Sequence, residues 1–255
     1  MACFQGGFRS LALGMDTHVN VILPYDRYDE AGNPGRYDKV LYMLHGLKQD
    51  SSAWLRNSSI ERYANYYGYA VVLPEVQRSF YTNMEMGMDY FTYITEELPR
   101  AVHGMFKLPV GRENTYVGGL SMGGYGALKC VLSRPDLYAG AMSFSGGLYS
   151  MEHPDMLIKR YYSPGELQAI MGMDLKVRPQ DDLEHLMRAY PADSPRPKLY
   201  LACGTEDFLY QQNLRACDSL QKNGFEVTWE AWEGAHDWKF WDVAAERAMK
   251  LFAEK

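Results

Sequence analysis

The chain has 255 residues, of which 47% are hydrophobic and 23% charged, a composition typical of a globular protein with a full core. Its 26 Lys and Arg residues against 32 Asp and Glu residues give a net charge of −6, without a basic stripe. Nucleic acid is therefore not an expected partner, since phosphate backbones are held by clustered basic side chains. No run of about 18 apolar residues occurs, so no membrane partner is expected either.

Short apolar runs alternate with longer helix-like segments along the chain. The apolar runs predict strands at 18–23, 40–44, 70–73, 115–120, 140–145, 199–203 and 227–232. The longer segments predict helices at 58–67, 88–106, 123–133, 211–222 and 238–252. The run at 18–23 alternates polar and apolar residues, as an edge strand does, and Pro99 is expected to kink the helix 88–106. This order predicts an α/β fold with a mostly parallel sheet and helices on both faces.

Two segments interrupt the alternation. Residues 25–38 are rich in Gly, Asn, Asp and Pro and are predicted to form a turn or loop. Residues 148–197 carry six prolines and two short helix-like pieces, at 166–171 and 182–189. We interpret the chain as a single domain, 1–255, in which 148–197 is an insertion over the sheet and a partial lid.

Residues 119–123 have the sequence GLSMG, which matches the pattern G-x-S-x-G. An apolar strand runs directly into this pattern and a helix runs directly out of it, the arrangement of a nucleophile elbow. A serine on so sharp a turn needs strained backbone angles and small neighbours, and Gly119 and Gly123 meet that need. The alternative is a plain glycine-rich turn, such as those of dinucleotide folds, but the register G-x-G-x-x-G is missing. Ser121 is therefore the predicted nucleophile.

A serine hydroxyl needs a base, and the base needs an acid that orients it. The segment 204–207, which ends at Asp207, directly follows one predicted strand, and the segment 234–236, which ends at His236, comes after the next. Both are expected at the carboxyl ends of parallel strands, in the chain order Ser, Asp, His. Glu206 competes with Asp207 for the role of the acid. His153 and His185 fall in the insertion and are interpreted as surface residues.

The tetrahedral intermediate of acyl transfer needs two preorganised backbone donors. The amide of Met122, directly after the nucleophile, is one candidate. The other is the amide of Leu47, in the loop after an early central strand. His45 precedes Ser121 in the chain and is interpreted as a residue that fixes this loop. The six histidines are dispersed and no metal motif occurs, so neither a metal nor another cofactor is expected.

Several longer strings resemble a known family, the esterase D-like α/β-hydrolases. They include LYMLHGLKQDSSAWLRNSSIERYA, GLSMGGYGALK, ACGTEDFLYQQN and GAHDWKFWD. This family contains tributyrin-type, feruloyl and acetylxylan esterases and S-formylglutathione hydrolases. The resemblance implies the α/β-hydrolase fold, Ser121, Asp207 and His236 as a catalytic triad, and Leu47 and Met122 as the oxyanion pair. Residues 151–195 match no branch of the family.

The predicted function is that of a serine carboxylesterase for short-chain acyl, acetyl or hydroxycinnamoyl esters, which works through an acyl-serine. Trp54, Tyr81 and Trp238 are candidates for an aromatic substrate pocket, with core packing as the alternative. The rival functions are hydrolysis of S-formylglutathione, acyl transfer to another acceptor, and a catalytically silent binding protein. Esters on plant polysaccharide fragments are one expected natural source, and a homodimer or higher homo-oligomer follows from family analogy alone.

Cysteine usage bears on the compartment. Cys3, Cys130, Cys203 and Cys217 are widely spaced, without a CxxC pair. Cys130 and Cys203 lie in apolar segments and are predicted core residues. The N-terminus lacks the charged and apolar regions of a secretory signal. Free thiols in a reducing cytoplasm are therefore expected.

Overall fold

In the computed structural model, which describes residues 1–25 and 37–254, eight strands form one sheet. The strands are β1 (Ala2–Ser10), β2 (Met15–Leu23), β3 (Lys39–Leu44), β4 (Tyr69–Pro74), β5 (Thr115–Leu120), β6 (Gly140–Phe144), β7 (Lys198–Gly204) and β8 (Val227–Trp232). Their order in the sheet is β1-β2-β4-β3-β5-β6-β7-β8. β1 and β2 are antiparallel to their neighbours, whereas β4, β3 and β5 to β8 run parallel. The predicted α/β class is confirmed.

Helices cover both faces of this sheet. They are α1 (Ala53–Asn57), α2 (Ile60–Tyr67), α3 (Tyr90–Thr92), α4 (Leu98–Phe106), α5 (Met122–Ser133), α6 (Pro154–Arg160), α7 (Pro164–Met171), α8 (Leu183–Arg188), α9 (Tyr210–Lys222) and α10 (Trp238–Ala253). Along β3, Tyr42 and Leu44 pack in the core under α4, α5 and α9, whereas Leu41 and Met43 pack in the core under α2 and α10. Alternate side chains of a strand point to opposite faces, so each face has its own core.

The first 25 residues differ from the prediction. Strand β2 is not an edge strand, because β1 pairs with it along its whole length, from Ala2 opposite Leu23 to Ser10 opposite Met15. β1 itself takes the end position of the sheet order, and five consecutive residues, from Cys3 to Gly7, are exposed. The alternation in β2 therefore reports a strand near the end of the sheet rather than the last one.

The helix predicted at 88–106 is present in three connected pieces. A π-helical segment, Tyr93–Glu97, joins α3 to α4, and Pro99 lies in the first turn of α4. Proline has no N–H to offer to the carbonyl four residues earlier, and its ring crowds that carbonyl. A wider π-helical turn directly before Pro99 accommodates this local conflict.

The segment 148–197 holds α6, α7 and α8 and packs on α5. Lys129 of α5 is buried and its ammonium donates to the carboxylate of Asp181, at 2.5 Å, and to the backbone carbonyl of Tyr81. The hydroxyl of Tyr125, also on α5, donates to the backbone carbonyl of Asp181. The segment is therefore anchored to the helix that directly follows Ser121.

Helices α1 and α6 were not predicted, and most of the predicted loop 25–38 lies outside the described residues. Cys130 and Cys203 are buried, and all four cysteines are free thiols. Within residues 1–25 and 37–254, no helix combines the length and the apolar character that a bilayer crossing requires.

Glu97 fastens the turn between β1 and β2 to the helix α4. Its carboxylate accepts hydrogen bonds from the hydroxyl of Ser10, at 2.5 Å, and from the amides of Leu11 and Ala12, at 2.7 and 3.2 Å. Burial raises the pKa of this carboxyl, but these three donors outweigh burial and hold the pKa below its usual value of 4.5. The charged form is therefore the one that the fold stabilises.

Glu97→Gln is expected to lower the free energy of unfolding at pH 7 by about 1–3 kcal/mol, because an amide nitrogen cannot accept these bonds. A depressed pKa contributes stability above the unfolded-state pKa, and that stability disappears as the pH falls through the folded-state pKa. Urea unfolding from pH 7 to pH 3 should therefore show the difference narrowing below about pH 4.5. Glu96→Gln, a neighbouring exposed carboxylate, is the control and should change stability by less than about 0.5 kcal/mol. An equal loss in both variants would contradict this account.

Candidate active site

Ser121 sits on the sharp turn between β5 and α5, with φ 55° and ψ −117°. This positive φ is strained for a residue with a side chain. Its amide donates to the carbonyl of Phe144 on the neighbouring strand, at 2.9 Å. Its carbonyl accepts from the amides of Gly124 and Gly147, at 3.0 and 2.9 Å. These bonds hold the strained conformation in place and leave the hydroxyl at the carboxyl end of the sheet.

The glycines around Ser121 are required by close backbone approach. A Cβ atom on Gly119 would lie 2.6 Å from the backbone carbonyl carbon of Gly123. A Cβ atom on Gly123 would lie 2.5 Å from the carbonyl oxygen of Leu44 and 2.8 Å from that of His45. The strand, the helix and the loop after β3 therefore meet at distances that only glycine permits.

The loops after β7 and β8 bring Asp207 and His236 to the same edge. Gly204 and Gly234 touch, since a Cβ atom on Gly204 would lie 2.1 Å from the carbonyl oxygen of Gly234. Nε2 of His236 lies 3.0 Å from Oγ of Ser121, and Nδ1 lies 2.8 Å from Oδ2 of Asp207. The three side chains thus form one continuous hydrogen-bonded row.

Asp207 is buried, and Glu206 is exposed. Burial raises the pKa of the Asp207 carboxyl, but the hydrogen bond and the charge of His236, with the amide of Leu209, outweigh burial and hold the pKa below its usual value. Asp207 is therefore ionised at neutral pH. The amide of Glu206 is bonded to the carbonyl of Gly234 while its side chain faces solvent, so Asp207 and not Glu206 contacts His236.

Two aromatic rings flank the imidazole of His236. The ring centroid of Phe208 lies 4.7 Å away, and the ring of Trp241 stands edge-on at 4.9 Å. Phe208 is 56% exposed, whereas Trp241 is buried. Both rings therefore contact the imidazole that lies between Asp207 and Ser121. Neither ring was predicted to lie at the site, although Phe208 adjoins Asp207 and Trp241 lies in the first turn of the helix after His236.

A cavity of about 360 Å³ opens over Ser121. Its lining combines residues of the loop after β3, the elbow, the segments after β7 and β8, and the insertion. They are Gly46, Leu47, Lys48, Gln49, Phe80, Leu120, Ser121, Met122, Gly147, Ser150, Leu157, Tyr161, Phe208, Leu209, His236 and Trp241. Ser150, Leu157 and Tyr161 belong to the insertion, so this segment forms part of the wall. A second cavity of about 270 Å³ shares five lining residues with the first, namely Ser150, Leu157, Tyr161, Phe208 and Leu209.

Leu47 and Met122, the predicted oxyanion donors, both line this cavity beside Ser121. Met122 is the first residue of α5, where backbone amides have no carbonyl of their own helix to bind. Leu47 lies in the turn after β3, which the bond from the amide of Gln49 to the carbonyl of Gly46 closes at 3.1 Å. Both residues therefore border the cavity next to Ser121.

Trp54, Tyr81 and Trp238 are not among the residues that line the cavity, which corrects the expected aromatic pocket. Trp54 is 1% exposed in α1 and Tyr81 is fully buried. Trp238 packs on Trp54 and on Trp241, with ring centroids at 5.0 and 5.4 Å. It therefore supports Trp241 from behind. These rings were predicted at the site because they follow strands in the sequence. That position does not indicate whether other parts of the chain cover a ring.

The other polar candidates lie apart from this row. His153 and His185 are exposed in the insertion, as expected. His153 lines the second cavity. In the part of the chain that the structure describes, no group of three or more His, Cys, Asp or Glu side chains is arranged to hold a metal ion.

The known proteins that this chain resembles include esterases and related serine hydrolases. The Esterase family model matches residues 10–250. An acetyl esterase of Caldicellulosiruptor saccharolyticus is 32% identical and covers 100% of this chain and 99% of its own length. The substrate-bound structure of fluorophosphonate-binding serine hydrolase F of Staphylococcus aureus is 34% identical, with a TM-score of 0.88 and coverage of 100% and 99%. The S-formylglutathione hydrolase of Staphylococcus aureus is also 34% identical, with a TM-score of 0.86 and 99% of both chains covered.

Gly123→Ala is expected to destabilise the protein by about 1–3 kcal/mol or more, because its Cβ atom would meet two backbone carbonyls that cannot move aside. Gly104→Ala is the control: Gly104 lies on an exposed face of α4, and beyond the backbone of its own helix no atom would lie within 4 Å of the added carbon. It should stabilise the protein by about 0.5–1 kcal/mol, because alanine favours a helix. Thermal unfolding followed by circular dichroism measures both. Equal stabilities for the two variants would contradict the packing described at the elbow.

Proposed function

We propose, for a chain that belongs to the Esterase family, that Ser121, His236 and Asp207 are its catalytic triad and that its substrates are esters of short acyl groups. That the protein is a serine hydrolase with esterase activity follows from the family and from its full-length relatives. The observation that carries the assignment of the triad is the row of hydrogen bonds at 3.0 and 2.8 Å, which ends in a cavity large enough for a small ester.

The buried carboxylate sets the direction of proton transfer. The ionised Asp207 accepts a hydrogen bond from the N–H at Nδ1 of His236, which keeps the proton, so the lone pair of Nε2 faces Oγ of Ser121. When Oγ forms a bond to the ester carbonyl carbon, Nε2 takes the hydroxyl proton and the carbonyl π electrons move to oxygen. The imidazolium that forms lies beside Asp207, which stabilises the positive charge.

The tetrahedral intermediate then collapses. Its oxyanion is stabilised by the amides of Leu47 and Met122, two residues that line the same cavity as Ser121. The carbonyl re-forms, the ester C–O bond breaks, and the leaving alcohol takes the proton from Nε2. An acyl-serine remains.

Deacylation runs through the same groups. A water molecule gives a proton to Nε2 as its oxygen bonds to the acyl carbon, and the oxyanion again faces the two amides. Collapse breaks the bond to Oγ of Ser121, which takes the proton back, and the carboxylic acid leaves. The serine and the neutral imidazole are restored without a cofactor.

The acyl group is proposed to be small, and acetyl is the first candidate. The full-length relative at 32% identity is an acetyl esterase. Hydroxycinnamoyl esters, including those on plant polysaccharide fragments, are larger candidates for the same cavity. A second candidate function, hydrolysis of the thioester S-formylglutathione, is favoured by a 34% identical structure with that activity in its name.

Ser121→Ala is expected to lose about 10⁵-fold or more in turnover, since members of a triad act as a unit. Hydrolysis of p-nitrophenyl acetate measures the loss, and a fluorophosphonate probe should label the wild type but not this variant. Ser133→Ala, at the other end of α5, is the control and should keep both turnover and labelling. A variant without Ser121 that retains near-normal turnover would refute the assigned nucleophile.

A substrate panel separates the two candidate functions. The values of kcat/KM for p-nitrophenyl acetate, a feruloyl ester and S-formylglutathione are compared on the same wild-type protein. We expect kcat/KM for the acetyl ester to exceed kcat/KM for the thioester by at least about tenfold. This ratio corresponds to about 1.4 kcal/mol in transition-state binding. The reverse order would make thioester hydrolysis the principal activity while leaving the triad unchanged.

A further inference from the structure

Three consecutive backbone carbonyls at the end of β3 each accept a hydrogen bond from a buried side chain. Nε1 of Trp54 donates to the carbonyl of Leu44, at 3.0 Å, and the hydroxyl of Tyr81 donates to that of His45, at 2.8 Å. Nδ1 of His45 lies 2.8 Å from the carbonyl oxygen of Gly46. Each of the three donor side chains is at most 1% exposed. The backbone that leads into Leu47 is thus held from three sides.

The last of these carbonyls belongs to the same peptide unit as the amide of Leu47. A peptide unit is planar, and in the trans form its C=O and N–H point in opposite directions. A group that fixes the carbonyl oxygen of Gly46 therefore also fixes the direction of the Leu47 N–H. His45 is that group, and it acts on the side of the peptide away from the cavity.

The surroundings of His45 determine which ring nitrogen carries the proton. The amide of Val76 donates to Nε2, at 3.2 Å, so Nε2 must present a lone pair. A neutral imidazole then has its proton on Nδ1, which matches the acceptor at Gly46. Oε1 of Glu75 lies 3.5 Å from Nε2, but the two oxygens of Glu75 accept from the amides of Ser51 and Gln77, at 2.9 and 2.7 Å.

We propose that His45 is a positioning residue for the oxyanion hole: its Nδ1–H binds the carbonyl of Gly46 and thereby orients and polarises the amide of Leu47. The inference rests on the proposed function, in which that amide faces the oxyanion. Hydrogen bonds to the carbonyl of an amide strengthen its N–H as a donor, because the two polarise one another. The effect matters most when negative charge develops on the substrate, so it should appear in turnover more than in substrate binding.

The turn does not depend on His45 alone. The amide of Gln49 also donates to the carbonyl of Gly46, and its side-chain oxygen accepts from the amide of Gly46, at 2.9 Å. These two bonds keep the loop closed when His45 is replaced. A loss of turnover can therefore be separated from a loss of fold.

Two substitutions divide the contacts of His45 between them. His45→Asn places an amide nitrogen near the position of Nδ1, so it can still donate to Gly46, but it leaves the amide of Val76 without its acceptor. His45→Gln places an amide oxygen near the position of Nε2, so it can still accept from Val76, but it cannot reach Gly46 as a donor. A purely structural role predicts similar losses in both variants, whereas the proposed role predicts that they differ.

For His45→Gln we expect kcat and kcat/KM for p-nitrophenyl acetate to fall together by about 30-fold, with KM within about threefold of the wild type. For His45→Asn we expect kcat and kcat/KM to fall by less than about fivefold. The unfolding temperature of this variant should nevertheless fall at least as much as that of His45→Gln. A trifluoromethyl ketone forms an oxyanion when it bonds to Ser121. Across the two variants, its inhibition constant should rise in proportion to the loss of kcat/KM.

Failure of the inference and failure of the proposed function give different results. If the wild type hydrolyses no ester and binds no fluorophosphonate, the proposed function fails. If the wild type is active but the glutamine variant keeps kcat within twofold, the inference fails. It also fails if the asparagine variant loses as much turnover as the glutamine variant, or if the losses lie in KM alone.

Discussion

The site depends on one imidazole that must accept a hydrogen bond at one nitrogen and donate at the other. Asp207 is buried and ionised because the contact with His236 outweighs the cost of burial, and this charge determines which nitrogen of His236 carries the proton. Oγ of Ser121 then has a lone pair to face, at 3.0 Å. The fold brings these three residues, distant in the chain, to one edge of the sheet.

Ser121, Asp207 and His236 lie close together because the strands that precede them are parallel. Because β5, β7 and β8 run in the same direction, their carboxyl ends lie on one edge, and the loops after them converge. The contact between Gly204 and Gly234 closes the distance between two of these loops, and the strained turn at Ser121 raises the hydroxyl towards them. Glycine at these positions allows backbone contact that no side chain would permit.

The insertion and the loop after β3 both contribute residues to the wall of the cavity. The insertion contributes Leu157 and Tyr161 to the cavity wall and is anchored to α5 through the buried pair Lys129 and Asp181. The end of β3 is held by buried donors, of which Trp54 and Tyr81 had been expected in contact with the substrate. Their aromatic rings serve the site indirectly, by fixing the backbone that carries Leu47.

The amino-acid sequence alone specified the nucleophile elbow and the chain order of the three site residues, because local patterns encode both. The elbow could be recognised because a strand, two small residues and a helix are all encoded within 20 residues, and the order Ser, Asp, His followed from strand ends that apolar runs reveal. Which side chains line the cavity was decided by tertiary structure. Trp54 and Tyr81 are buried, and β1 rather than β2 forms the end of the sheet. Burial and strand order depend on neighbours that are distant in the chain, and no local sequence pattern specifies those neighbours.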